Sequence, residues 1–175
     1  MGRLFFTIKL PRSGGTTACK AWQKYEKDVI GHKFVDVEVP QALRVPRVVI
    51  SPDNYRLALG FRFHHAHETA VWASVHHSVK AFLFDYDVML DCTNTNKSKL
   101  YQIFLLHNDA QYVLVDTPEH ICIERAIITL QEDLIPVIRA MSINLEKMKQ
   151  DGLDDTVKEM RQQALNYVSK KAVAK

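Results

Sequence analysis

The chain has 175 residues, of which 47% are hydrophobic and 25% charged, with a formal net charge of +3. These values suit one soluble domain with a sizeable core, and no apolar run is long enough to span a bilayer. The mild positive charge permits a nucleotide or nucleic-acid partner without demanding one.

In chain order, residues 4–10, "LFFTIKL", are an apolar run rich in β-formers and read as a buried strand. The run is too short for a secretory leader. Phe6 stands where a myristoylated chain wants Ser or Thr, so lipidation is not expected. A loop with Pro11, Gly14 and Gly15 follows, and residues 16–29 read as a helix with Ala18, Ala21, Trp22 and Tyr25 on one face, ended by Gly31. "KFVDVEV" alternates as a short strand does, and "RVVIS" (47–51) reads as a core strand broken by Pro52, with Asp53 as the cap of the next helix.

An i, i+3, i+4, i+7 stripe predicts a long helix from Glu68 to Phe84. "DVMLDCTN" (87–94) and "QYVLVD" (111–116) are further strands, separated by a helix over 98–107. Helices are expected over 118–130, 133–149 and 154–169, with a turn at Asp151–Gly152 and a frayed "KKAVAK" tail. Strands alternating with helices predict an α/β fold with a mostly parallel central sheet flanked by helices on both faces. Ligands of such sheets bind beyond the carboxyl ends of the strands, which gathers Pro11–Thr17, Asp53–Arg56 and Asp91–Asn94.

Three stretches carry candidate chemistry. "KLPRSGGTTA" (9–18) nearly spells the phosphate loop G-x-x-x-x-G-K-[ST], with Lys9 at its first position, Gly14 at its sixth and Thr16 as the hydroxyl. Gly15 holds the position of the lysine. Successive backbone N–H groups over Arg12, Ser13, Gly14, Gly15, Thr16 and Thr17 form an anion cradle at a helix N-terminus, and Thr16 Oγ is placed for Mg²⁺. In "SPDNYR" Asp53 is placed to accept the proton of an attacking hydroxyl and Arg56 to clamp a phosphate; taken alone, the pair reads first as a helix cap and a surface arginine. In "LDCTNTN" Asp91 is placed to order a metal or its water, with Thr93 and Asn94 on substrate or fixing a turn. The histidines of "FHHAHETAVWASVHH" lack a clean metal spacing, and packing or lining an acceptor pocket is the expected role of His64, His67 and Trp72.

In this order the motifs resemble the phage polynucleotide kinase family, the 5′-hydroxyl kinases of DNA and RNA ends, and a wider set of small P-loop kinases. The family's strand–"GxPxSGKST"–helix resembles "IKLPRSGGTTA", its "RDDYR" resembles "SPDNYR", its "DxTN" matches Asp91, Thr93 and Asn94, and its "D-x-P" before an arginine-bearing helix resembles "VDTPEHICIER". The resemblance covers about residues 3–145. It implies a P-loop kinase domain over 1–149 with a lid near 125–140, and a C-terminal helix and tail over 150–175. It further implies a cytoplasmic enzyme using ATP or another NTP with Mg²⁺. Asp53 would be the general base, Arg56 and Arg125 the phosphate contacts, and Pro11–Thr17 with Lys9 the nucleotide loop. The acceptor would be a nucleic acid or nucleotide hydroxyl, with a hydroxymethylated base or a nucleoside as the runner-up.

The chain departs from that pattern at Gly15 and in a lid with Arg125 but no further basic residue until Arg139. The segments 32–46 and 57–67 also fit the family poorly. Three accounts of Gly15 stand open: Lys9 delivers the ammonium from another backbone position, the chain is a degenerate kinase that binds nucleotide or nucleic acid without efficient turnover and acts through a partner, or the substitution was introduced.

Overall fold

The computed structural model describes residues 2–60 and 64–173. Phe61–Phe63, within the poorly fitting segment 57–67, and the last two residues of the tail lie outside the described residues. The chain divides into two compact units, one of Met1–Thr7, Gly15–Cys92 and Gln111–Val113, the other of Ile8–Gly14, Thr93–Ala110 and Leu114–Lys175.

A four-stranded sheet of order β4-β5-β1-β6 is built from β1 (Leu4–Lys9), β4 (Arg47–Ile50), β5 (Asp87–Leu90) and β6 (Gln111–Val115). β5 runs parallel to both β1 and β4, pairing Phe5 with Met89 and Val49 with the same residue. Every residue of β1 is buried, which is why its sequence runs apolar on both alternating faces. The fold is mixed α/β, a mostly parallel central sheet flanked by helices, as the alternation of elements predicts. Among the described residues no helix is long and apolar enough to cross a membrane.

In the first unit, α1 (Gly15–Gln23) brings Cys19 and Trp22 onto Phe5, Met89 and Val113. Trp22 meets Phe5 edge to face at 5.8 Å and is fully enclosed, so Trp22→Ala would cost about 3–5 kcal/mol. The alternate residues Leu4, Phe6, Val88 and Leu90 turn to the other face and are also buried. α2 (Pro52–Ala58) follows β4, and α3 (His65–Phe82) packs along β4 and β5, burying Val71, Val75 and Val79. Arg3 gives its backbone N–H and its guanidinium to the enclosed carboxylate of Asp87, and those bonds raise the arginine above its ordinary pKa.

Two expectations change here. The first helix stops at Gln23, not near residue 29. Tyr25 adopts φ +63°, its N–H returns to Trp22 O and that of Glu26 to Ala21 O, which is a Schellman ending with tyrosine where glycine is usual. The residues after it form an antiparallel hairpin, β2 (Lys27–Ile30) with β3 (Lys33–Asp36), turned by left-handed Gly31 and His32. Arg47 ties that hairpin to the helix end, bonding Trp22 O, Lys27 O and Asp28 while lying over the Trp22 ring. Secondly, Asp53 does not cap α2. Ser51 is the N-cap, Pro52 opens the helix, and Asp53 lies in its first turn.

The second unit holds α4 (Lys97–Leu106), α5 (Glu119–Ile128), α6 (Ile135–Gln150) and α7 (Leu153–Val173). α4 packs lengthwise on α7, where Arg161 lies over Phe104 and donates to Ala110 O. The expected end of the last helix at residue 169 is overtaken, because α7 continues to Val173. α5 ends at left-handed Leu130, again without glycine, and Gly152 makes the expected turn before α7.

Candidate nucleotide and phosphotransfer site

The loop after β1 is shaped by its own residues. Ser13 N–H returns to Leu10 O at 3.3 Å across Pro11 and Arg12, and Arg12 has φ +63°. Proline at the second position and a left-handed residue at the third are the signature of a type II turn. Arginine in the place of glycine there is strained by roughly 1–3 kcal/mol. Gly14, at φ +89°, turns the chain toward α1 in a conformation that side-chain-bearing residues avoid.

Two side chains of the second unit hold this loop. Arg125 Nη1 donates to Arg12 O at 3.1 Å, and Thr117 Oγ1 donates to Ser13 O at 2.8 Å. A Cβ on Gly14 would lie 3.5 Å from Arg125 Nη1, so the guanidinium stands beside the loop's central glycine. Two consecutive carbonyls are thereby committed to side-chain donors. The first amides of α1 have no acceptor within their own helix, as at any helix N-terminus. Ser13 and Gly15 are buried, while Gly14, Thr16 and Thr17 are exposed. Pro11 and Arg12 are half-buried.

Lys9 ends β1 with 8% exposure, and its N–H donates to Thr93 O at 2.9 Å. Asn94, next to Thr93, is buried and left-handed at φ +51°. In the first unit, Asp91 is buried after β5 and its N–H donates to Ile50 O at 2.8 Å. Thr7 is fully buried, and its hydroxyl both donates to Cys92 O at 2.6 Å and accepts from Cys92 N–H at 3.1 Å.

α2 and α3 make a second cluster within the first unit. Arg56 gives Nε–H to Glu68 Oε1 and Nη2–H to Oε2, both at 2.7 Å, and Nη1–H to Asp53 Oδ1. The bond to Glu68 is the chief reason that the guanidinium is raised above its ordinary pKa. The Asp53 side chain is 87% exposed and that of Arg56 only 15%. The structure thus brings Asp53 and Arg56 together, adds Glu68, which the sequence motifs missed, and joins to it Trp72, which the sequence offers only as packing or pocket lining. Glu68 is twelve residues beyond Arg56 on another helix, so no local spacing marks it; its indole partner Trp72 is one turn along α3. Thr117 lies within "VDTPEHICIER", where no sequence motif gives it a role.

His64 is the N-cap of α3, accepting Ala66 N–H on Nδ1, with His67 5.5 Å away ring to ring. Among the described residues no group of three His, Cys, Asp or Glu side chains is placed to hold a metal ion. A magnesium ion held by one hydroxyl, one carboxylate and nucleotide phosphates asks for no such group.

The mixed α/β fold, with its mostly parallel sheet flanked by helices, recurs in solved structures. No protein-family profile matches the chain, and no curated protein does. Among solved structures, a chain of the Pnkp1/Rnl/Hen1 RNA repair complex matches with a TM-score of 0.66 at 16% identity, over 86% of this chain and 46% of that one. A chain of a Pnkp1/Rnl/Hen1 complex matches with a TM-score of 0.55 at 18% identity, over 71% of this chain and 39% of that one. A gluconokinase from Sinorhizobium meliloti 1021 matches with a TM-score of 0.53 at 11% identity, over 98% and 97% of the two chains. At these identities the likeness is one of fold. The chain spans less than half the length of the two repair-complex chains.

Proposed function

We propose that the protein binds a nucleoside triphosphate at the loop Lys9–Thr17 and transfers its γ-phosphate to a hydroxyl of a nucleic acid or nucleotide. The observation that carries this reading is the loop itself. A strand enters a type II turn, left-handed Gly14 leads into α1, and Arg125 and Thr117 fix the carbonyls of Arg12 and Ser13. A strained, externally braced loop at a helix N-terminus suits an anion. The likeness to chains of RNA repair complexes supports a nucleic-acid acceptor.

In this reading the backbone amides over Arg12–Thr17 bind phosphates, Thr16 and Asp91 hold Mg²⁺, and Arg125 and Arg56 stand against phosphate oxygens. Thr93 and Asn94 fix the substrate side of the loop after β5. Magnesium, when bound, neutralises charge on the phosphates. Asp53, exposed and paired to Arg56, accepts the proton of the acceptor hydroxyl. In this reading the kinase domain covers 1–149, with a lid over 125–140, and the C-terminal helix follows it.

Labelled ATP offered with 5′-hydroxyl oligonucleotides, nucleosides and hydroxymethylated bases tests it. The expected result is a phosphorylated product that Asp53→Ala abolishes. Product that survives Asp53→Ala removes the base assignment, and no product from any hydroxyl acceptor removes the transferase. A second reading, nucleotide binding without turnover, is favoured by one observation: Gly15 stands where the loop's lysine belongs. Calorimetric binding of Mg–ATP with no product would establish that reading instead.

A further inference from the structure

One carboxylate orients two groups of different chemistry. Glu68 takes the Arg56 fork on both oxygens, and its Oε2 also accepts the Trp72 indole N–H at 3.2 Å. His76 sets its ring against Trp72, centroids 5.7 Å apart and tilted by 60°. Residues 68, 72 and 76 are spaced four apart on α3, which puts them on one face. All three are half-buried, and the chain of contacts ends on the exposed carboxylate of Asp53. An indole tethered through its N–H has a ring of fixed orientation. Here that ring is registered to a guanidinium, and the guanidinium is registered to the proposed base.

We propose that Trp72 is the stacking platform for the nucleobase that adjoins the acceptor hydroxyl, and that Glu68 is the positioning residue holding this platform in register with Arg56. The inference rests on the phosphotransfer reading above and assigns its acceptor side to nucleic acid. Every base has a π face, so a single aromatic platform takes nucleic acid with little preference among bases. The neighbouring cation suits the phosphates that flank a base in a strand.

The test is binding without turnover, using a 5′-hydroxyl oligothymidylate in the absence of ATP. Trp22, the second tryptophan, is fully enclosed, so a change in indole emission reports Trp72. The expected results are quenching in the parent protein, affinity lowered about 5- to 150-fold in Trp72→Ala, and affinity largely kept in Trp72→Phe. In the transfer assay Glu68→Gln should raise KM for the oligonucleotide more than KM for ATP. Undiminished affinity in Trp72→Ala overturns the platform. So does binding that leaves the emission of the parent unaltered, an arm that needs no variant. A parent protein that binds no oligonucleotide but phosphorylates a polyol overturns the platform and leaves phosphotransfer standing. Oligonucleotide quenching together with calorimetric failure to bind Mg–ATP keeps the platform and removes phosphotransfer.

Discussion

Arg125 reaches back across 113 residues of sequence to donate Nη1–H to the carbonyl oxygen of Arg12. The acceptor belongs to a residue in a left-handed conformation, so the bond holds the loop where its own backbone preference does not. Arg125→Ala should lower Mg–ATP affinity about tenfold or more, the scale of one hydrogen bond from a charged donor. Because Arg125 is exposed, the thermal midpoint should move little. Lysine should restore little, since a point charge does not reproduce the fork that reaches the carbonyl. Calorimetry checks this, and unchanged affinity would show that the loop holds its shape without the brace.

Gly15→Lys places an ammonium at the seventh position of the loop. Turnover should rise about 10²-fold, the usual worth of a charge directed at developing negative charge in a phosphoryl or acyl transfer. Single-turnover rates on the acceptor identified above provide the measurement. Equal rates in the two proteins would mean that the loop already receives its charge from another residue.

Arg3 and Asp87 make a stability prediction remote from the loop. The carboxylate side chain is 3% exposed and the guanidinium 55% exposed. Arg3→Ala leaves the enclosed carboxylate its backbone N–H bond but no countercharge and should cost about 2 kcal/mol, below the value for a fully buried pair because water already reaches the arginine. Urea unfolding at neutral pH gives the number. Asp87→Asn keeps only one of the two acceptor oxygens that Arg3 uses but leaves no enclosed charge, and should cost less.

The legible parts of the molecule were those written locally. β1, its loop and the start of α1 are a strand run, turn residues and a helical stripe in succession, and each is recognisable without knowing its neighbours. The end of α1 was hidden because Tyr25 takes a conformation that glycine normally advertises. The first strand of the hairpin beyond it consequently reads as helix up to residue 29, while the second alternates as a strand does. Glu68 was invisible as a site residue because its partner is on a different helix, and Asp87 because strand pairing alone brings it to Arg3. The strand order β4-β5-β1-β6 likewise depends on long-range pairing that no window of sequence contains.

Lys149 gives a prediction in alkali. It bonds Asp116 at 2.6 Å and Glu146 at 2.8 Å. Burial alone would pull its pKa down, but the two carboxylates outweigh that and raise it above 10.5. A group whose folded pKa is raised stabilises fully below its unfolded value and loses that contribution as pH climbs through the folded one. The thermal midpoints of the parent and of Lys149→Met should therefore differ near pH 8, and the difference should shrink above about pH 10.5. A gap that is constant across this range would assign the effect to packing of the side-chain stem.

Direct pairing of β5 with β1 ends at Leu90 and Phe6. Just beyond, the Thr7 hydroxyl bonds both the N–H and the carbonyl of Cys92. A side chain spliced into a ladder is a spacer as well as a fastener, because it substitutes a longer bridge for a direct amide-to-carbonyl contact. That one hydroxyl bridges the step between the last β5–β1 pair and the direct bond from Lys9 N–H to Thr93 O, so the two strands stay joined through it. A fully buried hydroxyl that satisfies both a donor and an acceptor cannot be exchanged for an apolar side chain without leaving both backbone groups unpaired.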